Sequence, residues 1–230
     1  MRLAASLAVA TVSLSPVLGA AGASTPLNFA PRISHDQLSN WAGYIAEGTT
    51  HEFSSATATW TEPKVDCLKN QDLYAPWVGI DGDGSSTVEQ TGAQTSCKGG
   101  QPKVKAWYEM FPANPVYFNN PAAIGDIFHA TVTYSGGQFT LTISDTTQGW
   151  TQTVHKTLNS AKRLSAEAVI EAPGGFPNIP SGVQFTGVKF NGQDLSTFHP
   201  VASASAGAGN TIYKPGAITN GDDFSVLPKT

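Results

Sequence analysis

Ala130-Thr131-Val132-Thr133-Tyr134-Ser135-Gly136-Gly137-Gln138-Phe139-Thr140-Leu141-Thr142-Ile143 is the stretch that decides the fold class. Apolar side chains alternate with Thr on either side of a Gly-Gly pair, so two half-buried strands meet at a tight turn and form a β-hairpin. The same period of two recurs outward in both directions. Ala56, Ala58 and Trp60 alternate with Thr57 and Thr59. Val104, Ala106, Tyr108 and Met110 alternate with Lys105, Trp107, Glu109 and Phe111. Val183 to Phe190 reads as another strand, with Gly187 marking a bulge where the alternation shifts. No helical stripe of comparable length competes, and residues 159–163 support at most a short turn. Many short strands between Gly-, Pro- and Asn-rich turns predict an all-β sandwich or barrel. The sandwich is preferred because several strands have two faces unlike a solvent-facing surface, as when a sheet bends around an occupied groove.

A chain of 230 residues suits one domain with a sizeable core. The 40% hydrophobic content argues against wholesale disorder, and 23 Gly with 15 Pro call for numerous turns. A formal charge of −4, without a long Lys/Arg run, gives no electrostatic footprint for nucleic acid. At the N-terminus, Arg2 precedes an apolar run from Leu3 to Leu18 and then the small residues Gly19 to Ala23. That layout predicts a secretory signal peptide over 1–23, with residues 24–39 as a short leader or N-terminal arm and 40–230 as the folded domain. A membrane anchor is the alternative, but the run is short and interrupted by Ser and Pro16. The processed chain is therefore expected outside the cell, free of the membrane, and a monomer for want of any extra interface element.

Cys67 and Cys97 are the two cysteines. In an exported chain the simplest reading is one disulfide, with two unpaired thiols as the alternative. His35, His51, His129, His155 and His199 are dispersed, and no compact metal-ligand spacing accompanies them. The low-complexity stretch Ser203 to Asn210 reads as a surface loop, and Pro173 to Pro180 as an irregular connection.

Strand parity gathers scattered polar residues onto surfaces. Trp77, Gly79 and Asp81 share one face, with Val78 and Ile80 on the other; Gln90 shares a face with Val88 and Gly92. Lys105, Trp107, Glu109 and Phe111 form a second row, and Glu167, Val169 and Glu171 a third. Each strand can present a polar residue without breaking its apolar side, which fits a polar cleft crossing a sheet. A half-exposed sheet with a solvent face gives the same pattern, and so does a carbohydrate-binding surface.

The segments Trp77-Val78-Gly79-Ile80-Asp81-Gly82, Gln90-Thr91-Gly92, Ala106-Trp107-Tyr108-Glu109 and Ala166-Glu167 through Glu171 resemble, in order, the motifs of the glutamic peptidases, the G1 or eqolisin family. Asn40-Trp41-Ala42-Gly43 resembles the start of that domain. The resemblance implies a bacterial-type secreted endopeptidase, active in acid, with two curved antiparallel sheets packed as a concanavalin- or lectin-like β-sandwich. It assigns Gln90 and Glu167 as the catalytic pair, Trp77 and Asp81 as residues bordering it, Trp107 and Glu109 as the cleft wall, and Glu171 as a supporting carboxylate. Lys105 stands where an acidic residue is common in fungal members, and Phe111 where Tyr is common. The expected consequence is an altered substrate preference and activity nearer to neutral pH.

The chemistry suits these groups. Glu167 can accept a proton from water and return it to the leaving amine. Gln90 does not titrate, so its part is to stabilise the oxyanion and orient the water. No metal or cofactor is required, and the partners are polypeptide substrates. The alternatives are a lectin-like module using Trp77 and Trp107 as stacking platforms, or a glycosidase using paired carboxylates.

Overall fold

The computed structural model describes residues 40–69, 72–207, 209 and 211–229. The signal peptide and leader expected over 1–39 lie outside the described residues. Two antiparallel sheets form the structure, as the alternation predicts. One has seven strands: β1 (Trp41–Glu47), β3 (Leu73–Asp81), β4 (Val88–Lys98), β5 (Gln101–Phe111), β6 (Val116–Tyr117), β10 (Ser165–Glu171) and β13 (Val201–Ser203), in the order β13-β1-β10-β3-β4-β5-β6. The other has nine: β2 (Ser55–Thr61), β7 (Ile127–Ser135), β8 (Gln138–Asp145), β9 (Trp150–Lys156), β11 (Val183–Phe190), β12 (Gln193–Asp194), β14 (Ser205–Ala206), β15 (Ile212–Pro215) and β16 (Phe224–Lys229). Its order is β14-β15-β16-β11-β2-β7-β8-β9, with β12 paired to β11.

The opening hairpin is β7–β8. Gly136 and Gly137 both have positive φ (57° and 83°), which a two-residue turn requires if its twist is to match the strands. Its apolar members Ala130, Val132, Phe139, Leu141 and Ile143 pack with Ala58, Trp60, Val78, Ile80 and Ala168 in one core between the sheets. Gly187 does mark a bulge, since the β2–β11 register shifts between Thr186 and Lys189. Residues 203–206 differ from the expected surface loop. The backbone pairs at the edges of both sheets, and the buried Ser203 donates its hydroxyl to the Trp41 carbonyl at 3.0 Å. Edge pairing satisfies backbone groups whatever the side-chain complexity.

Cys67 and Cys97 are joined, with Cα atoms 5.4 Å apart. The bridge ties the far end of β4 to the segment following β2. Closing such a loop stabilises the fold by about 3 to 4 kcal/mol in the chain-entropy picture.

Candidate active site

A second, separate apolar cluster lies on the outer face of the seven-stranded sheet: Trp41, Ile45, Ala75, Trp77, Val88, Trp107 and Val169, with Phe111 and Tyr117 against it. The sheet is thus apolar on both faces. Among these side chains stand Gln90, Glu109, Glu167 and Glu171, all fully shielded from solvent.

Register decides how they meet. Glu109 on β5 lies opposite Gln90 on β4, Gln90 opposite Gly79 on β3, and Gly79 opposite Glu167 on β10. Gln90 and Glu167 are thus two strand spacings apart, roughly 10 Å between backbones, with only a glycine between them. A Cβ at Gly79 would come within 2.8 Å of the Trp77 ring and 3.2 Å of Gln90 Cβ, so the glycine keeps the gap between the two side chains clear. Gly92 does the same for Trp77, since a Cβ there would meet Pro76 O at 2.3 Å and Trp77 Cβ at 2.6 Å.

The amide of Gln90 is fixed on one side. Its Nε2 donates to Glu109 Oε2 at 2.7 Å, which leaves the second N–H and Oε1 for other partners. Oε1 of Gln90 and both carboxyl oxygens of Glu167 are buried, with no hydrogen-bond partner among the described residues. Burial pushes the Glu167 carboxyl well above the usual range. The Ser165 hydroxyl opposes that shift, while Asp81, Asp83 and Glu89 reinforce it. Glu171 is likewise raised by burial and by Glu109, but it is fully engaged: Asn40 Nδ2 donates to it at 2.5 Å and Trp77 Nε1 at 3.2 Å. It anchors Trp77, which packs edge-to-face on Trp41 at 4.9 Å.

Asp81 closes β3 in a left-handed conformation. Its φ is 68°, and its carboxylate accepts backbone N–H groups from Lys162 (2.7 Å), Arg163 (2.7 Å) and Leu164 (2.8 Å). Asp81 therefore holds the turn that leads into β10, one turn of chain before Glu167. Lys105 and Phe111 lie at opposite ends of the β5 row, the first exposed and the second half-buried. Asn40, Trp41, Gly79 and Ser165 are parts of the site that side-chain chemistry alone did not single out. The early Asn40-Trp41 motif was the available signal for the first two. Among the described residues, no three or more His, Cys, Asp or Glu side chains are grouped to hold a metal ion.

The sequence profile of the Peptidase A4 family matches residues 39–222, most of the chain and all of the strands that build this site. The chain belongs to the Peptidase A4 family. As a member, this peptidase is a peptide hydrolase, and solved structures agree with its fold. It is similar to scytalido-glutamic peptidase bound to a transition state analog inhibitor, with 23% identity and a TM-score of 0.71, covering 83% of this chain and 98% of that one. SCP-B, an eqolisin solved with the tripeptide Ala-Ile-His, gives 23% identity and 0.63, with the same coverages. Aspergilloglutamic peptidase from Aspergillus niger gives 24% and 0.57, over 69% of this chain and all of that one. At these identities the likeness to each structure is one of fold. No curated protein matches the peptidase.

Proposed function

We propose that the chain is a secreted acid endopeptidase of bacterial type, cleaving polypeptides as a monomer with Glu167 and Gln90 as its catalytic pair. Lys105 and Phe111, which depart from the fungal pattern, bear on substrate preference and on the pH range of activity. Secretion rests on residues 1–23 as a signal, with 24–39 a short leader or N-terminal arm. The concanavalin- or lectin-like comparison rests on the two layered sheets with the site on one outer face.

The observation that carries the reading is the row Glu109, Gln90, Gly79, Glu167, in which a clamped amide faces an unpaired buried carboxyl across a glycine. Each buried group left unpaired costs about 1 to 3 kcal/mol, a cost that a bound peptide carbonyl and an attacking water would relieve. Glu167 as carboxylate takes a proton from the water, which adds to the peptide carbonyl carbon. The free N–H of Gln90 donates to the oxyanion, and its Oε1 accepts from the water. Protonated Glu167 then delivers its proton to the leaving nitrogen as the C–N bond breaks. Glu109 keeps the Gln90 amide pointing the right way, and Asp81 fixes the chain entering β10.

A mixed peptide library incubated with wild type, Gln90→Ala and Glu167→Gln from acid to neutral pH, read by mass spectrometry, tests this. Wild type yields internal cleavages and Glu167→Gln yields them about 10² to 10⁴ times more slowly. Gln90→Ala yields them about 10² to 10³ times more slowly, the loss typical of a missing oxyanion donor. No cleavage by wild type, together with binding on a glycan array, would replace the peptidase reading with the lectin one.

A further inference from the structure

The strands β4 and β5 run past the catalytic row as a hairpin arm whose two faces differ. Toward the other sheet it buries Thr95, Cys97 and Val104. On the face that carries Gln90, Trp107 and Glu109, the outer part of the arm instead presents Lys98, Lys103 and Lys105, all exposed. Cross-strand pairing sets Lys105 opposite Gln94, Lys103 opposite Ser96 and Lys98 opposite Gln101, so the lysines occupy successive steps of one ladder. None of these lysines has an ion pair among the described residues.

Pairing with β3 reaches as far as Ser96, the Cys97 N–H donates to Asp72 O at 2.8 Å, and side-chain contacts hold both faces. The Cys67–Cys97 bridge fastens its inner face, and the Tyr117 hydroxyl donates to Gln94 Oε1 at 2.6 Å on the outer one. The rest of that face bears carboxyls, of which Glu167 and Glu171 hold their protons well above the usual range because they are buried. Burial favours the uncharged form of those two carboxyls, whereas lysine side chains stay cationic. The lysines then dominate the potential along the face, although the chain as a whole carries a formal charge of −4.

We propose that this arm selects substrate: Lys98, Lys103 and Lys105 engage an acidic segment of the polypeptide lying beyond the bond that is cleaved. At about 3.4 Å per residue, Gln94 and Lys98 lie roughly 14 and 27 Å along β4 from Gln90. An extended peptide spans that distance with about four to eight residues. The inference rests on the peptidase reading for its substrate, and its test separates the two.

Peptides share one cleavable centre and differ only in flanks that are acidic, neutral or basic, placed about four to eight residues away on either side. They are assayed at about pH 5.5, where peptide carboxylates are ionised. Wild type is expected to show kcat/KM about five- to tenfold higher for the acidic flank, through KM and not kcat, as exposed charge pairs allow. The preference should fade at about 0.5 M salt, where screening shortens to a few ångströms. It should also fall at least twofold in the variant combining Lys98→Gln and Lys103→Gln, the two lysines farthest from the catalytic row, while the neutral peptide is cleaved as before. Equal kcat/KM for acidic and neutral flanks in wild type, or a preference that survives the substitutions undiminished, overturns the proposal and leaves the peptidase reading standing. If no peptide is cleaved, the peptidase reading fails. The arm is then judged by fluorescence polarisation on Glu167→Gln, where tighter binding of the acidic peptide must depend on the lysines. A protein that binds polyuronate but shows no preference among the peptides contradicts the proposal.

Discussion

The outer faces of the two sheets obey the same alternation and do opposite things with it. On the nine-stranded sheet, Thr57, Thr131, Thr142 and Thr153 lie side by side across β2, β7, β8 and β9. They are only partly buried or exposed, and their hydroxyls meet at 2.9 Å (Thr57 to Thr131) and 3.1 Å (Thr142 to Thr153). Small polar side chains there satisfy one another and face water at little cost. The corresponding face of the seven-stranded sheet buries three tryptophans together with Glu167, Glu171, Glu109 and Gln90. Burying carboxyls costs stability, and several buried together shift one another's protonation. The contrast teaches that a period of two locates a face, whereas large aromatics mixed with shielded acids identify the one that does chemistry.

The largest expected effect falls on the costly face. Glu167→Gln should lower kcat/KM by about 10² to 10⁴, the usual weight of a general acid–base group, with little change in Tm. Retained activity would put the two outer faces on the same footing.

The next largest effect concerns Glu62, a buried carboxyl that accepts from Thr95 on the seven-stranded sheet and from Trp60 Nε1 at 3.2 Å on the other. Burial raises its pKa from 4.5 to about 7. The native state therefore holds this proton longer than the unfolded chain does. Its contribution is full below the unfolded value near 4.5, declines as pH rises toward about 7, and is then lost. Over that window the loss is on the order of 3 kcal/mol, at about 1.4 kcal/mol per pH unit. Denaturation with urea at steps of pH should show wild type weakening across the window, with Glu62→Gln flattening part of the slope. A slope unchanged by the substitution would assign the pH dependence to Glu89, Glu167 and Glu171, whose shifts have the same sign.

Gly79→Ala should cost about 1 to 3 kcal/mol by overpacking against Trp77 and Gln90, and it should reduce kcat more than it raises KM. A stable, fully active variant would mean that the gap between Gln90 and Glu167 is not needed. The smallest effect is expected at Thr142→Ala on the opposite outer face, within about 0.5 kcal/mol and without change in kcat/KM. A large loss there would erase the distinction between the faces.

Much of this contrast was legible in sequence, because both alternations and the Gly-Gly turn are local. The hairpin over 130–143, the strand over 183–190 with its bulge, and the faces bearing Gln90, Glu109 and Glu167 follow from period two alone. What local pattern could not supply was register. Only pairing across β5, β4, β3 and β10 places Gly79 between the catalytic candidates. Nor could local pattern supply the role of Asp81, whose carboxylate gathers the N–H groups of Lys162, Arg163 and Leu164 from a distant turn. Residues 203–206 were read as a loop because edge pairing depends on distant backbone, and composition does not report it.

The central claim is a division of labour in which Glu167 titrates and Gln90 does not. It is tested most directly by the pH dependence of kcat/KM for wild type and Gln90→Ala on one peptide. The raised Glu167 pKa predicts a limb that rises with pH, with its midpoint above the ordinary carboxylate value of 4.5, because the free enzyme needs the carboxylate as base. Gln90 is bonded to Glu109 and not to Glu167, so Gln90→Ala should lower the plateau and leave that midpoint in place. A limb that moves or disappears in Gln90→Ala, or a midpoint below 4.5, would contradict the account.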